Sequence, residues 1–336
     1  VPGVCAEVLD VGVAGLARWR HDLDGRCIHA AGISRRTAET VARRLAPLLD
    51  PEDLDGGAAG VPSTLRLDEV LGNLDAATIA DGWTRGGPDP APVATIGPSG
   101  DGTVAIDLVR DGPHALIAGT TGAGKSELLR TLVVALAAAV GPDHLNVVLV
   151  DFKGGATFDA CARLPHCVGV VTDLDEGAVE RVIVSLDAEI RRRERLLRDA
   201  RADDLTGYRR NASEPLPRLV VVVDEFATLA KELPDVLAAL VGIAQRGRSL
   251  GIHLVLATQR PGGVVTDDIR ANTNLRLALR VHDRGDATDV VGDELPSTIP
   301  RSLPGRAVLR LGPDELVAFQ TASCSGPPGS ERTGLV

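Results

Sequence analysis

No methionine occurs anywhere in the 336 residues. A chain without one cannot start at an ordinary initiation codon in this form. It is therefore expected to be a piece of a longer protein whose membrane segments or further domains lie outside it. Aromatic residues are nearly as scarce, at 2%. The core must then be built from Val, Leu, Ile and Ala, which suits a parallel sheet covered by helices on both faces. Lysine is confined to Lys125, Lys153 and Lys231 among 36 basic residues, an imbalance that a GC-rich codon bias explains better than function does. No apolar run reaches the roughly 18 residues of a membrane span, so no membrane insertion is expected within the sequence. The five cysteines (Cys5, Cys27, Cys161, Cys167 and Cys324) are scattered and lack C-x-x-C spacing. That pattern indicates neither a disulfide frame nor a zinc site, and reads as small buried side chains in a reducing compartment. A net charge of −10 is unfavourable for broad binding to a phosphate backbone.

What the chain does have is concentrated at Ala115-Leu-Ile-Ala118 and the eight residues that follow, Gly119-Thr-Thr-Gly-Ala-Gly-Lys-Ser126. A short apolar run enters a G-x-x-x-x-G-K-S turn, and helix formers starting at Glu127 follow at once. A buried strand, a glycine-rich turn and a helix N-terminus make a phosphate-binding loop. The candidate nucleotide ligands are Gly119, Thr120, Thr121, Gly122, Ala123, Gly124, Lys125, Ser126 and Glu127, with backbone N–H groups facing the phosphate oxygens. Lys125 would reach the β- and γ-phosphates of a nucleoside triphosphate, and the Ser126 hydroxyl would ligate Mg²⁺.

Around this loop, apolar runs alternate with helical periodicity. Strands are expected at Leu145–Asp151, Val168–Val171, Arg218–Glu225, Ile252–Gln259, Leu275–Val281, Arg306–Leu311 and Glu315–Gln320, with a hairpin over 93–109. Asp175–Arg198 reads as a long amphipathic helix whose Arg191–Arg195 run is a solvated face. Residues 200–217 read as a polar loop, and 82–92 as a Pro/Gly turn region. Strand and helix in repeated alternation predict an α/β fold with a doubly wound, mainly parallel sheet. Residues 1–90 differ in texture: short strands near Cys5 and Arg26, then a helix over Ser34–Leu49 capped by Ser34. They form a small α+β accessory region without recognisable chemistry. The expected division is 1–90 accessory, 91–323 catalytic domain and 324–336 tail.

Asp224-Glu225 closes the strongest apolar strand and forms the natural partner of the loop. Asp224 would hold the Mg²⁺ shell, and Glu225 would orient and polarise the attacking water. Thr258-Gln259 closes the next strand. Gln259 is either a sensor of the γ-phosphate or a polar cap before Pro261, and position alone leaves both open. His114, His144, His166, His253 and His282 have no metal-ligand spacing, and Lys153-Gly-Gly reads as a tight turn.

Taken together, the loop, Asp151-Phe-Lys-Gly-Gly-Ala-Thr-Phe158, Val223-Asp-Glu-Phe-Ala227 and the run from Gln245 to Pro261 resemble the FtsK/SpoIIIE family. Ala271-Asn-Thr-Asn-Leu-Arg276 and Pro304-Gly-Arg306 continue the likeness across roughly residues 90–322. The Asp151–Phe158 segment is most similar to the EccC/EssC ATPases of type VII secretion. The resemblance implies a RecA-like P-loop ATPase using ATP and Mg²⁺, acting as a ring, commonly hexameric, of its own copies or of tandem ATPase domains. It also implies an arginine donated by a neighbouring subunit, for which Arg181 is the matching position and Arg276 and Arg280 are rivals. The implied setting is the cytoplasmic face of the cell membrane, with secretion-complex membrane proteins and protein substrates as partners. Residues 1–90 would suit the stretch before the first of several such domains. A double-stranded DNA translocase is the alternative motor, and a nucleotide-holding regulatory module with little turnover is the third reading.

Overall fold

The computed structural model describes residues 8–11, 16–20, 26–29 and 61–325, excepting 73, 153–156, 173–175, 233 and 313–314. The chain divides into two units, residues 1–54 and 55–336. The described part of the first is a three-stranded antiparallel sheet of β1 (Val8–Val11), β2 (Leu16–Arg20) and β3 (Arg26–His29). Strand β2 was not foreseen. The expected helix over 34–49 lies outside the described residues.

The second unit opens with helices α1 (Leu67–Leu71) and α2 (Ala76–Arg85), then the hairpin β4 (Val93–Ser99) and β5 (Gly102–Asp107). Next come β6 (Ala115–Ala118), α3 (Lys125–Ala139), β7 (Leu145–Asp151), β8 (Cys167–Val171), α4 (Glu176–Asp199) and α5 (Leu205–Asn211). They are followed by β9 (Arg218–Asp224), α6 (Phe226–Glu232), α7 (Pro234–Leu250), β10 (Ile252–Thr258), α8 (Asp267–Asn272) and β11 (Leu275–Leu279). Helices α9 (Arg284–Val291) and α10 (Leu295–Thr298) lead into β12 (Arg306–Arg310) and β13 (Leu316–Gln320). One ten-stranded sheet collects β4 to β13 in the order β5-β4-β13-β12-β11-β6-β10-β9-β7-β8. Its six strands from β11 to β8 run parallel, while the β12–β13 and β4–β5 pairs run antiparallel at one side.

Alternation along each central strand explains the double winding. On β6, Leu116 and Ala118 join one apolar cluster with Leu186 and Ile190 of α4 and Leu240 and Ile243 of α7. Ala115 and Ile117, pointing the other way, join Leu128, Leu132 and Leu136 of α3. Strand β9 divides likewise, and every residue of β9 and β10 is buried. A strand covered on both faces can be apolar throughout, and that continuous run is what made these strands legible.

Three local readings change. The 200–217 stretch contains α5, whose N-terminus is capped by Asp204 accepting from the Gly207 N–H (2.7 Å) and whose Leu205 and Tyr208 are buried. Helix α2 runs through Gly82, because Trp83 is docked on α3. The Trp83 indole donates to the Ala137 carbonyl (3.0 Å), and Gly141 leaves room where a Cβ would lie 3.2 Å from the Trp83 side chain. Within the arginine run, Arg193 is buried, not solvated. It donates to the carbonyls of Leu250 and Pro217 (both 2.8 Å) and to Glu189 (2.8 Å), tying α4 to the starts of β9 and β10.

His114, His166 and His253 all hydrogen-bond the main chain. His114 accepts at Nδ1 from the Leu254 N–H and donates from Nε2 to the Ala244 carbonyl, and burial lowers its pKa to about 4. No described helix is long and apolar enough to cross a membrane.

Candidate nucleotide site

The parallel pairings align the carboxyl ends of four adjacent strands. Ala118 of β6 lies opposite Thr258 of β10, Ala257 opposite Asp224 of β9, and Asp224 opposite Asp151 of β7. Crevices at the carboxyl ends of such strands are where α/β sheets hold ligands. The glycine-rich loop leaves β6 at this edge and enters α3.

Two glycines make the curl. Gly122 has φ +75° and Gly124 φ +98°, a region that L side chains rarely occupy. A Cβ on Gly124 would also lie 2.6 Å from the Gly305 nitrogen. That close approach is held by the Gly305 N–H donating to the Ala123 carbonyl (2.8 Å). The Pro304-Gly-Arg306 segment therefore backs the loop directly. On its other side the Thr120 N–H donates to the Arg280 carbonyl (2.9 Å) and the Gly119 N–H to the Thr258 carbonyl (3.1 Å). The first bond of the helical ladder is Leu128 N–H to the Gly124 carbonyl (2.9 Å). The N–H groups of Lys125, Ser126 and Glu127 precede it, at the electropositive end of a 15-residue helix. Residues with this curl and donor set fit a nucleoside triphosphate.

Beneath the loop lies a buried charged cluster. Lys125, 4% exposed, forms an ion pair with Asp224 and is 3.9 Å from the Glu225 carboxylate. Asp224 also accepts from the Thr157 hydroxyl (3.3 Å), and the Thr157 N–H donates to Asp151 (3.3 Å). Thr157 thus ties Asp224 to Asp151. Glu225 adopts φ +63°, in the left-handed region where a non-glycine residue carries strain. Its Oε1 accepts from the Gln259 N–H (3.3 Å) and the Thr258 hydroxyl (3.4 Å). The Gln259 side chain accepts from the Thr121 hydroxyl (3.0 Å) while its backbone N–H holds Glu225, so the residue links the loop and Glu225.

The structure therefore gathers Gly119 to Ser126, Asp224, Glu225 and Gln259 in one place, with Ser126 half-buried in the first turn of α3. Glu127 sits there as well, but its side chain turns away to Ser323–Ser325. Arg181 does not join them. It lies exposed on α4, lining an open groove with Val168 and Val170 of β8, the edge strand four places from β6. Of its rivals, Arg276 is spent on the carbonyls of Thr273 (2.9 Å) and Arg270 (2.7 Å). Arg280 reaches the Thr121 carbonyl of its own loop (3.3 Å). Sequence reasoning named Thr258 beside Gln259 without a role of its own, and gave Thr157 none. The only signal for either was its place in a segment already singled out.

A glycine-rich loop at the end of a central parallel strand, with its lysine paired to an acidic residue on a nearby strand, defines a P-loop nucleoside triphosphatase of the RecA-like type. The model of the FtsK/SpoIIIE family matches residues 84–263, just over half of the chain, and the chain belongs to that family. It is a P-loop ATPase domain. It is 36% identical over 298 residues to the type VII secretion system protein EssC of Staphylococcus aureus (strain NCTC 8325), covering 86% of this chain and 20% of the relative. Among solved structures, the cytoplasmic domain of the Thermomonospora curvata type VII secretion ATPase EccC matches with a TM-score of 0.73 and 36% identity, covering 80% of this chain and 33% of that one. ATPases 2 and 3 of Thermomonospora curvata EccC, in complex with a signal sequence peptide, match with a TM-score of 0.67 and 26% identity, covering 85% of this chain and 50% of that one. The chain spans about a fifth of the length of EssC.

Proposed function

We propose that the chain is an ATP-hydrolysing motor domain of a protein-export complex of the type VII kind. The observation that carries this reading is the buried Lys125–Asp224–Glu225 cluster set directly under the glycine-rich loop. The backbone N–H groups of the loop bind the phosphates. Lys125 exchanges Asp224 for the β- and γ-phosphates, since its charge is better matched there than by a single carboxylate. Ser126 and Asp224 would hold Mg²⁺, which when bound would supply charge neutralisation at the phosphates. Glu225, fixed by Thr258 and Gln259, orients the attacking water and accepts its proton. Gln259, bonded to Thr121, relays the loss of the γ-phosphate from the loop to Glu225.

The catalytic part is residues 91–323, with 324–336 as a tail. Residues 1–90 are accessory, and α1 and α2 among them pack onto the catalytic part. The motor works as a ring, commonly hexameric, of copies or tandem ATPase domains, and ATP sits between neighbours. Arg181 completes the neighbour's site, a role supported by its exposed position at the sheet edge, remote from its own loop. Protein substrates and secretion-complex membrane proteins are the partners, at the cytoplasmic face of the cell membrane. Support comes from the likeness to EssC and to EccC, one of whose solved forms holds a signal sequence peptide.

Two experiments test the reading. ATPase rate is measured with and without duplex DNA across a salt series. A rate indifferent to DNA is expected, and strong salt-sensitive stimulation would replace protein export by DNA translocation. For the arginine, Arg181→Ala and Glu225→Gln proteins, each inactive alone, are mixed. Partial recovery of turnover is expected, because a ring interface then pairs an intact Glu225 with an intact Arg181. An Arg181→Ala protein that is fully active by itself would assign the finger elsewhere.

A further inference from the structure

The Glu127 side chain serves something other than phosphate. Its carboxylate accepts from the Ser323 hydroxyl (2.7 Å), the Cys324 N–H (2.7 Å), the Ser325 N–H (2.9 Å) and the Ser325 hydroxyl (2.8 Å). Arg130, one turn along α3, donates to it as well. Burial works against ionisation here, yet the Ser323 and Ser325 hydrogen bonds bring its pKa down to about 2. Four residues on, on the same helical face, the Thr131 hydroxyl donates to the Ala322 carbonyl (2.6 Å). The strip Ala322–Ser325 is thus fastened along the first two turns of the phosphate-loop helix. Its far side is stitched to the chain ahead of the catalytic part: the Ser323 N–H donates to the Leu65 carbonyl (2.7 Å), and the Leu67 N–H to the Ser323 carbonyl (2.9 Å).

The location gives this strip a consequence. Lys125 faces the β- and γ-phosphates of a nucleotide on the loop, and the N–H groups at the start of the helix face the α-phosphate. The nucleoside leaves the loop past that first turn, which is where Glu127 holds the strip. A free carboxylate two residues from Lys125 would repel the triphosphate. Arg130 offsets its charge, and four donors from the strip hold the ionised carboxylate turned away from the loop.

We propose that Glu127 is a positioning residue for the nucleoside half of the nucleotide. Its carboxylate fixes Ala322–Ser325 as the wall on which ribose and base rest, and the same bonds, with Arg130, keep it directed away from the phosphates. By reciprocity, nucleoside binding tightens the strip. The proposal rests on the reading of the loop as an ATP site.

The test separates nucleoside from phosphate. Wild type, Glu127→Gln and the doubly substituted Ser323→Ala, Ser325→Ala protein are titrated with ATP and with inorganic tripolyphosphate, both with Mg²⁺. Amide exchange is followed at Cys324 and Ser325, with melting curves to verify folding. Both variants should bind ATP about tenfold or more weakly, the scale of lost charge-assisted hydrogen bonds. Glu127→Gln should bind tripolyphosphate within about twofold of wild type, because the loop N–H groups and Lys125 are untouched. In wild type, exchange at Cys324 and Ser325 should slow with ATP and not with tripolyphosphate. Equal losses for both ligands would make Glu127 a support of the loop and overturn the proposal. So would unchanged ATP affinity in a variant whose strip exchanges faster. A wild-type chain that binds neither ligand would sink the ATP reading itself, and the proposal with it.

Discussion

Glu225→Gln protein is expected to bind ATP as wild type does while its turnover falls by roughly 10²- to 10⁴-fold, the range for loss of a positioned general base. The substitution is close to isosteric. An amide oxygen can still accept from the Gln259 N–H and the Thr258 hydroxyl, the contacts that hold Oε1. The backbone at φ +63° sees no change in side-chain branching. The loop, Lys125 and Asp224 are left alone, so affinity is retained. What disappears is a group able to take a proton. Calorimetric titration together with phosphate release measures both quantities. Unchanged turnover would remove Glu225 from its role, whereas lost binding would make it a structural member of the cluster.

Lys125→Ala is expected to weaken ATP binding by about 100-fold or more, from two hydrogen bonds to a charged group at about 1.5–3 kcal/mol each. The structure adds a second expectation. Asp224, 1% exposed, would keep its contact with Thr157 but lose its cation. Stranding one partner of a buried pair costs about 3–5 kcal/mol, so the nucleotide-free variant should melt well below wild type. Adding Asp224→Asn should restore much of that stability and none of the affinity. A single variant as stable as wild type would show that the Lys125–Asp224 pair contributes little to the resting fold.

The two expectations draw on different sources. That the chain holds a triphosphate on Gly119–Ser126 and carries Asp224-Glu225 on a buried strand was legible because each feature is local. The loop is one unbroken motif between a strand and a helix, and β9 and β10 are apolar at nearly every position because both of their faces are covered. Helix α4 and the late strands fell within a residue or so of their expected ends for the same reason. Less was legible where local composition and packing disagree. Gly82 reads as a breaker, yet Trp83 docks on α3, and Arg193 reads as part of a solvated run, yet its buried guanidinium donates to the carbonyls of Leu250 and Pro217.

Residue pairings far apart in the chain left no trace in composition or spacing. Thr157 on Asp224, Gly305 against Gly124 and Gln259 on Thr121 each join segments whose individual patterns would suit many partners. Glu127 makes the difference plainest. By itself the sequence determined that this residue falls in the first turn of the helix behind the loop, because the G-K-S motif sets the register. Only the tertiary structure decided that its carboxylate faces Ser323–Ser325, nearly 200 residues further on, and not the phosphates. A helical position sets where a side chain starts. What it meets depends on which strand the sheet order and the returning chain bring alongside.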